Sequence, residues 1–139
     1  MSSTEWELHP QLARDTIAVG DLSLCRILLM NDANYPWLLL VPRRSGLVEL
    51  IDLSVADQTL LMTEIARVSR GLKLIAPCDK LNVATIGNVV PQLHVHVIAR
   101  RRSDPAWPKP VWGLLPPQAY APAELNRLTA ELHREFCAS

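Results

Sequence analysis

Apolar and polar positions along the chain follow two periods. Thr16-Ile-Ala-Val19 and Leu22 to Met30 read as strands, with Gly20-Asp21 between them as a hairpin turn. Trp37 to Val41 is a continuous apolar run stopped by Pro42, the pattern of a short buried strand. Leu61, Ile65, Val68, Leu72 and Ile75 then step by four, three, four and three, which is one face of a long helix. Ser54 and Asp57 stand ahead of it in a capping relation, and Ala76-Pro77 closes it. Leu81 to Ile86 and Leu93 to Arg100 predict two further strands separated by a turn at Gly87-Asn88. A short helix is expected over His9 to Asp15, where Pro10 suits the first turn. A last helix is expected over 122–137, with Leu125, Leu128, Leu132 and Phe136 on one face. Before it, segment 104–121 is rich in proline and tryptophan and reads as irregular, extended backbone. Antiparallel strands with a crossover helix make an α+β fold of about five strands, in a single domain over 1–139.

Composition narrows the possible functions. The 14 Lys+Arg against 14 Asp+Glu give zero formal net charge, whereas a protein that holds nucleic acid by charge is basic. The zero is uneven along the chain. Residues 1–60 carry eight acids and four bases, 61–110 three and eight, and 111–139 three and two, or −4, +5 and −1. A positive middle in a neutral chain points to a local anion site. Three cysteines, Cys25, Cys78 and Cys137, are an odd number in a chain too large to need disulfide staples, so reduced thiols and a cytoplasmic location are expected. No secretory leader pattern opens the chain, and the apolar runs are far short of a membrane span.

The chemistry concentrates in Gly87-Asn-Val-Val-Pro-Gln92-Leu-His94-Val-His96-Val-Ile-Ala-Arg100. On a strand, Gln92, His94, His96 and Ile98 share one face, and Leu93, Val95 and Val97 share the other, which packs on the long helix. Two imidazoles at ~7 Å steps can divide attack from proton or charge handling. Two other readings of the pair are ordinary half-buried strand histidines, and a His-x-His metal site. The metal reading lacks a third ligand, since His9 and His133 are far off in sequence and no acid lies in the stretch.

The segment Gln92-Leu-His94-Val-His96-Val-Ile98 resembles the signature of the histidine triad superfamily, His-φ-His-φ-His-φ-φ with φ apolar. The likeness runs back through Asn82, Gly87 and Asn88 and the strand pair from Leu22 to Pro42. The resemblance implies a five-stranded α+β unit that usually pairs into homodimers, binds nucleotides, and hydrolyses or transfers nucleotidyl groups at the α-phosphate. It implies that His94 attacks phosphorus and that His96 contacts the phosphate oxygens. The backbone carbonyl at Gln92 would hold the other nitrogen of His94. Asn31 and Asp32 would lie where the family places a ribose contact, although Asn-Asp is also a plain turn. Asn82, Gly87 and Asn88 would belong to the nucleotide site. Arg100, first of Arg100-Arg101-Arg102, would reach polyphosphate if the run is not simply solvated. The Trp107 to Gly113 segment resembles a Trp-Pro tail that lies near the active site across the dimer, and packing over an apolar patch is the other reading.

Two departures stand out. Gln92 replaces the first histidine, and Val89 stands where a phosphate-contacting hydroxyl is common. Dinucleoside polyphosphates and nucleoside phosphoramidates are the implied substrates, with no cofactor, metal, membrane or polymeric nucleic acid. The alternative is a nucleotide-binding module that has lost catalysis.

Overall fold

The computed structural model describes residues 5–137. Helix α1 (Pro10–Asp15) leads into strands β1 (Thr16–Asp21), β2 (Cys25–Met30) and β3 (Trp37–Pro42). A single 3-10 turn at Leu50–Asp52 precedes helix α2 (Val55–Ile75), and strands β4 (Lys80–Ala84) and β5 (Val95–Arg100) and helix α3 (Pro122–Phe136) complete the chain. The strands form one five-stranded antiparallel sheet in the order β1-β2-β3-β5-β4. The first three follow one another as a meander. Helix α2 then crosses over to the far edge, and β5 returns to fill the place between β4 and β3. The architecture is α+β, as the pattern predicts.

Both faces of the sheet are covered. Ile27, Leu29, Leu38, Leu40, Val95, Val97 and Ala99 pack with Leu61, Val68 and Leu72 of α2 and Leu132 and Phe136 of α3. On the opposite face Leu28, Trp37, Leu39, Val41 and Ile98 meet Leu12 of α1 and Ala106 and Val111 of the Pro/Trp segment. Strand β3 is therefore buried at all six positions, which is why its sequence is a continuous apolar run rather than an alternation. Ser54 caps α2 by accepting a hydrogen bond from the Asp57 N–H at 3.1 Å.

Three boundaries differ from the sequence pattern. Gly20-Asp21 is not the hairpin turn. Both residues pair within β1, past an irregularity between Ala18 and Gly20, and the chain reverses over Leu22 to Leu24. The buried carboxylate of Glu64 on α2 fixes that reversal, accepting from the N–H groups of Leu24 and Cys25, each at 2.9 Å. Gly20 is needed for a close approach instead, since a Cβ there would strike Sγ of Cys137. Strand β4 ends at Ala84 and not Ile86, and β5 begins at Val95 and not Leu93. The loop between them turns at Gly87, whose φ of 72° is left-handed and suits glycine.

Candidate active site

Strand β5 and the residue just ahead of it carry the two histidines on the face opposite α2. His96 is opposite Leu39 of β3 and Ala84 of β4, so strands on both sides hold its backbone rigidly. His94 stands just ahead of β5, where the loop from Gly87 rejoins the sheet. The two rings lie edge to face with centroids 4.9 Å apart, and both residues are buried.

Each ring is held through Nδ1. The His94 Nδ1 lies 2.7 Å from the backbone carbonyl of Gln92. A carbonyl only accepts, so Nδ1 carries the proton and donates it. The lone pair is thereby left on Nε2. The His96 Nδ1 lies 3.0 Å from Nε1 of Trp37. An indole N–H only donates, so this Nδ1 is bare and the neutral ring carries its proton on Nε2. The adjacent imidazoles thus have opposite tautomers. One offers a nucleophilic Nε2 and the other an Nε2–H donor. Neither Nε2 has a hydrogen-bond partner among the described residues. Burial, and then the neighbouring His94, push the His96 imidazole down to about 3.

The pair opens on a cavity of about 420 Å³. Its walls are Trp37, Leu39 and Met30 from the sheet, Gln11, Leu12 and Asp15 from α1, the loop from Ile86 to Val90, and Trp112. The Trp112 ring stands edge-on to both His96, at 5.1 Å between centroids, and Trp37, at 6.1 Å. The Pro/Trp segment thus reaches the histidines of its own chain. A larger cavity, about 500 Å³, opens between α3 and the sheet. Glu124, Arg127 and Glu131 on its wall are paired with one another, and neither His94 nor His96 lines it. Chemistry rather than volume therefore singles out the histidine cavity. Among the described residues no three His, Cys, Asp or Glu side chains gather as a metal-binding group.

The other residues marked by the sequence divide between this cavity and the frame. Gly87, Asn88 and Val89 line the cavity, with Val89 89% exposed. Gln92 contributes its carbonyl, but its side chain turns away from the cavity. Its Oε1 accepts from the His9 N–H at 2.8 Å and its Nε2 donates to the Glu7 carbonyl at 2.9 Å, tying the N-terminal segment to the motif. Asn31 and Asp32 do not line the cavity. Asn31 accepts from the Tyr120 N–H and Asp32 from those of Asn34 and Gln118, so the pair anchors the chain leading into α3. Their predecessor Met30 is the residue that reaches the cavity.

Arg100 shares the face of His96 but does not reach the cavity either. It is 1% exposed, and its guanidinium donates to both carboxylate oxygens of Asp104, at 2.8 and 3.1 Å, and to Oδ1 of Asn82 at 2.9 Å. Tyr35 and Trp107 pack over its charge. Arg100 and Asn82 are thus spent on holding the Pro/Trp segment to the sheet. Sequence reasoning did not assign Gln11, Asp15 or Met30 to the site, nor the partnership of Trp37 with His96. The available signal was strand parity: Trp37 and Leu39 occupy one face of β3, and Leu39 is the residue opposite His96.

The HIT domain family model matches residues 11–103. The chain is similar in structure to a histidine triad protein from Bradyrhizobium japonicum, at 57% identity and a TM-score of 0.93, covering 95% of this chain and 98% of that one. It is similar to a histidine triad protein from Marinobacter aquaeolei, at 44% identity and 0.92, covering 95% and 96%. A histidine triad (HIT) protein from Sinorhizobium meliloti matches at 42% and 0.91, covering 94% and 96%. No curated protein matches the sequence.

Proposed function

Because the chain belongs to the histidine triad (HIT) family, whose fold serves nucleotide-binding hydrolases and transferases, we propose that it acts at the α-phosphate of a small nucleotide through a covalent nucleotidyl-His94 intermediate. One observation carries this reading. The Gln92 carbonyl accepts a hydrogen bond from the protonated Nδ1 of His94 at 2.7 Å, which leaves Nε2 as an unprotonated nucleophile at a cavity. His96 Nε2–H is the donor for the phosphate oxygens, where negative charge develops. Gly87 and Asn88 border the phosphate side of the cavity, and its apolar walls suit a base and sugar. The substrate is a dinucleoside polyphosphate or a nucleoside phosphoramidate. The acceptor is water or a second nucleophile.

We assign the protein to a reducing compartment, the cytoplasm, since its three cysteines are unpaired. A second copy of the chain is its expected partner.

The test is mass spectrometry after a quench that avoids acid. Incubation with either substrate class is expected to leave a nucleotidyl adduct on His94. His94→Ala should abolish the adduct and lower turnover by at least about 10³-fold. If neither class gives an adduct or turnover, while nucleotide binding survives His94→Ala, the protein is a binding module and the catalytic reading is wrong.

A further inference from the structure

We infer that Trp37 is a positioning residue that keeps His96 neutral with its proton on Nε2, so that His96 gives the reacting phosphate a hydrogen bond but gives the leaving group no proton. The inference deepens the proposed nucleotidyl transfer at His94 and rests on it. The geometry lies in one buried contact. Trp37 donates to His96 Nδ1 at 3.0 Å, and a second proton on the ring would set N–H against N–H. Trp37 is itself buried at the head of β3 and packed edge-on by Tyr35 and Trp112, so it has little room to turn away.

No group in contact with the His96 ring favours its charged form. Just ahead of β5, the His94 ring stands 4.9 Å away and becomes cationic once it bonds to phosphorus. From β3 come Trp37 and Leu39, from β4 Ala84, and from the Pro/Trp segment Trp112, none of them titratable. The loop from Ile86 to Val90 carries no acid or base. Asp15 of α1 lines the cavity, and both its oxygens accept from the Gln11 amide. Farther along the face, Arg100 and Asp104 neutralise each other. Burial acts in the same direction as the Trp37 contact.

The consequence concerns the leaving group. In the first step His94 Nε2 bonds to phosphorus as the bond to the bridging oxygen breaks. That oxygen keeps the electron pair and departs as a phosphate anion. The His94 ring takes the positive charge, its Nδ1 proton still held by Gln92. Water then bonds to phosphorus, the P–N electrons return to Nε2, and the proton of the water passes to solvent. An amine would need a proton on departure. Neither His96 nor Val89 supplies one, and the Gln92 side chain is turned to Glu7 and His9. The site therefore favours phosphoanhydrides over phosphoramidates.

Nitrogen-15 NMR of the wild-type protein tests the tautomer without any substrate. The expected result is a bare Nδ1 and a protonated Nε2 on His96, unchanged from pH 8 to about 5, where an ordinary histidine titrates. Trp37→Phe should mix the tautomers, bring a His96 titration into that range, and add the same ionisation to the pH profile of kcat. His96→Gln, a neutral donor, should keep turnover within about tenfold, while His96→Ala should lose about 10²–10³-fold. A dinucleoside polyphosphate should be turned over at least about 10²-fold faster than a phosphoramidate, the scale of one proton-transfer catalyst. A protonated Nδ1, a wild-type His96 titrating near its ordinary value, equal damage from Gln and Ala, or equal use of the two substrates would overturn the inference. If Trp37→Phe does not fold, the wild-type spectrum and the two His96 variants decide. A missing His94 adduct would sink the proposed function and leave the spectrum standing, so the two failures are separable.

Discussion

Burying a neutral imidazole has a thermodynamic signature that a surface histidine lacks. His96 in the folded protein is pushed down to about 3, first by burial and then by His94. In the unfolded chain it takes a proton near its ordinary value of ~6.5. Above that value neither state binds the proton and stability is unaffected. As pH falls below it the unfolded state binds a proton that the folded state refuses, so stability drops until the folded value is reached. Between pH 7 and 5 the loss is roughly 2 kcal/mol, at 1.36 kcal/mol per pH unit below ~6.5. Urea unfolding at the two pH values should show His96→Gln losing less than the wild type by about this amount, and equal losses would mean that His96 is protonated in the fold. The motif His94-Val-His96 was plain in the sequence, and the family resemblance implied the contact of the Gln92 carbonyl with His94, because a backbone atom survives any substitution. The partner of His96 was not, because Trp37 lies 59 residues away and only the pairing of β3 with β5 brings it there.

Elements were legible where one periodicity acts alone. The stripe from Leu61 to Leu72 on α2 meets the sheet as its spacing predicts. Readings failed where a distant group settles a local choice. Gly20-Asp21 has the composition of a turn, yet Glu64 on α2 sets the reversal two residues later. Arg100 has the parity of a ligand-facing residue, yet Asp104 folds back over it and joins β5 to the Pro/Trp segment. Burial alone would raise the Asp104 carboxyl, but the Arg100 guanidinium and the N–H groups of Arg101 and Ala106 more than offset it and hold the carboxyl below its usual range. The contribution of the pair is therefore complete above about pH 4 and is lost as pH falls further. Asp104→Asn strands a buried guanidinium and is expected to cost about 3–5 kcal/mol near neutral pH. Chemical denaturation of the variant reads this directly, and a loss under about 1 kcal/mol would show that Asn82 and the two aromatic rings suffice to hold Arg100, as at an exposed pair.

Across the whole molecule, the positive excess of residues 61–110 does not converge on the cavity. Arg100 is neutralised internally, and the Arg101 side chain donates to the Pro77 carbonyl. Under the proposed function, anion recognition then falls to aimed donors, chiefly the His96 N–H, which suits a single small nucleotide better than a polymeric nucleic acid. A cluster of exposed apolar residues lies beside the cavity. Ile51 is 83% exposed, and Leu50, Met62, Val48 and Ile86 are exposed around it, in two adjoining hollows that share Leu50 and Ile51. Strand β4 borders this region as a sheet edge, with Val83 exposed on it. An apolar patch beside an open edge is costly to leave in water, and a second copy of the chain offers both a matching patch and a matching edge. Sedimentation equilibrium should find the wild type dimeric. Ile51→Glu, on a surface position that supports no core contact, should shift it toward monomer with an unchanged melting profile for the isolated fold. A wild type that stays monomeric at the highest soluble concentration, or an Ile51→Glu variant that dimerises as well as its parent, would remove this face from the interface.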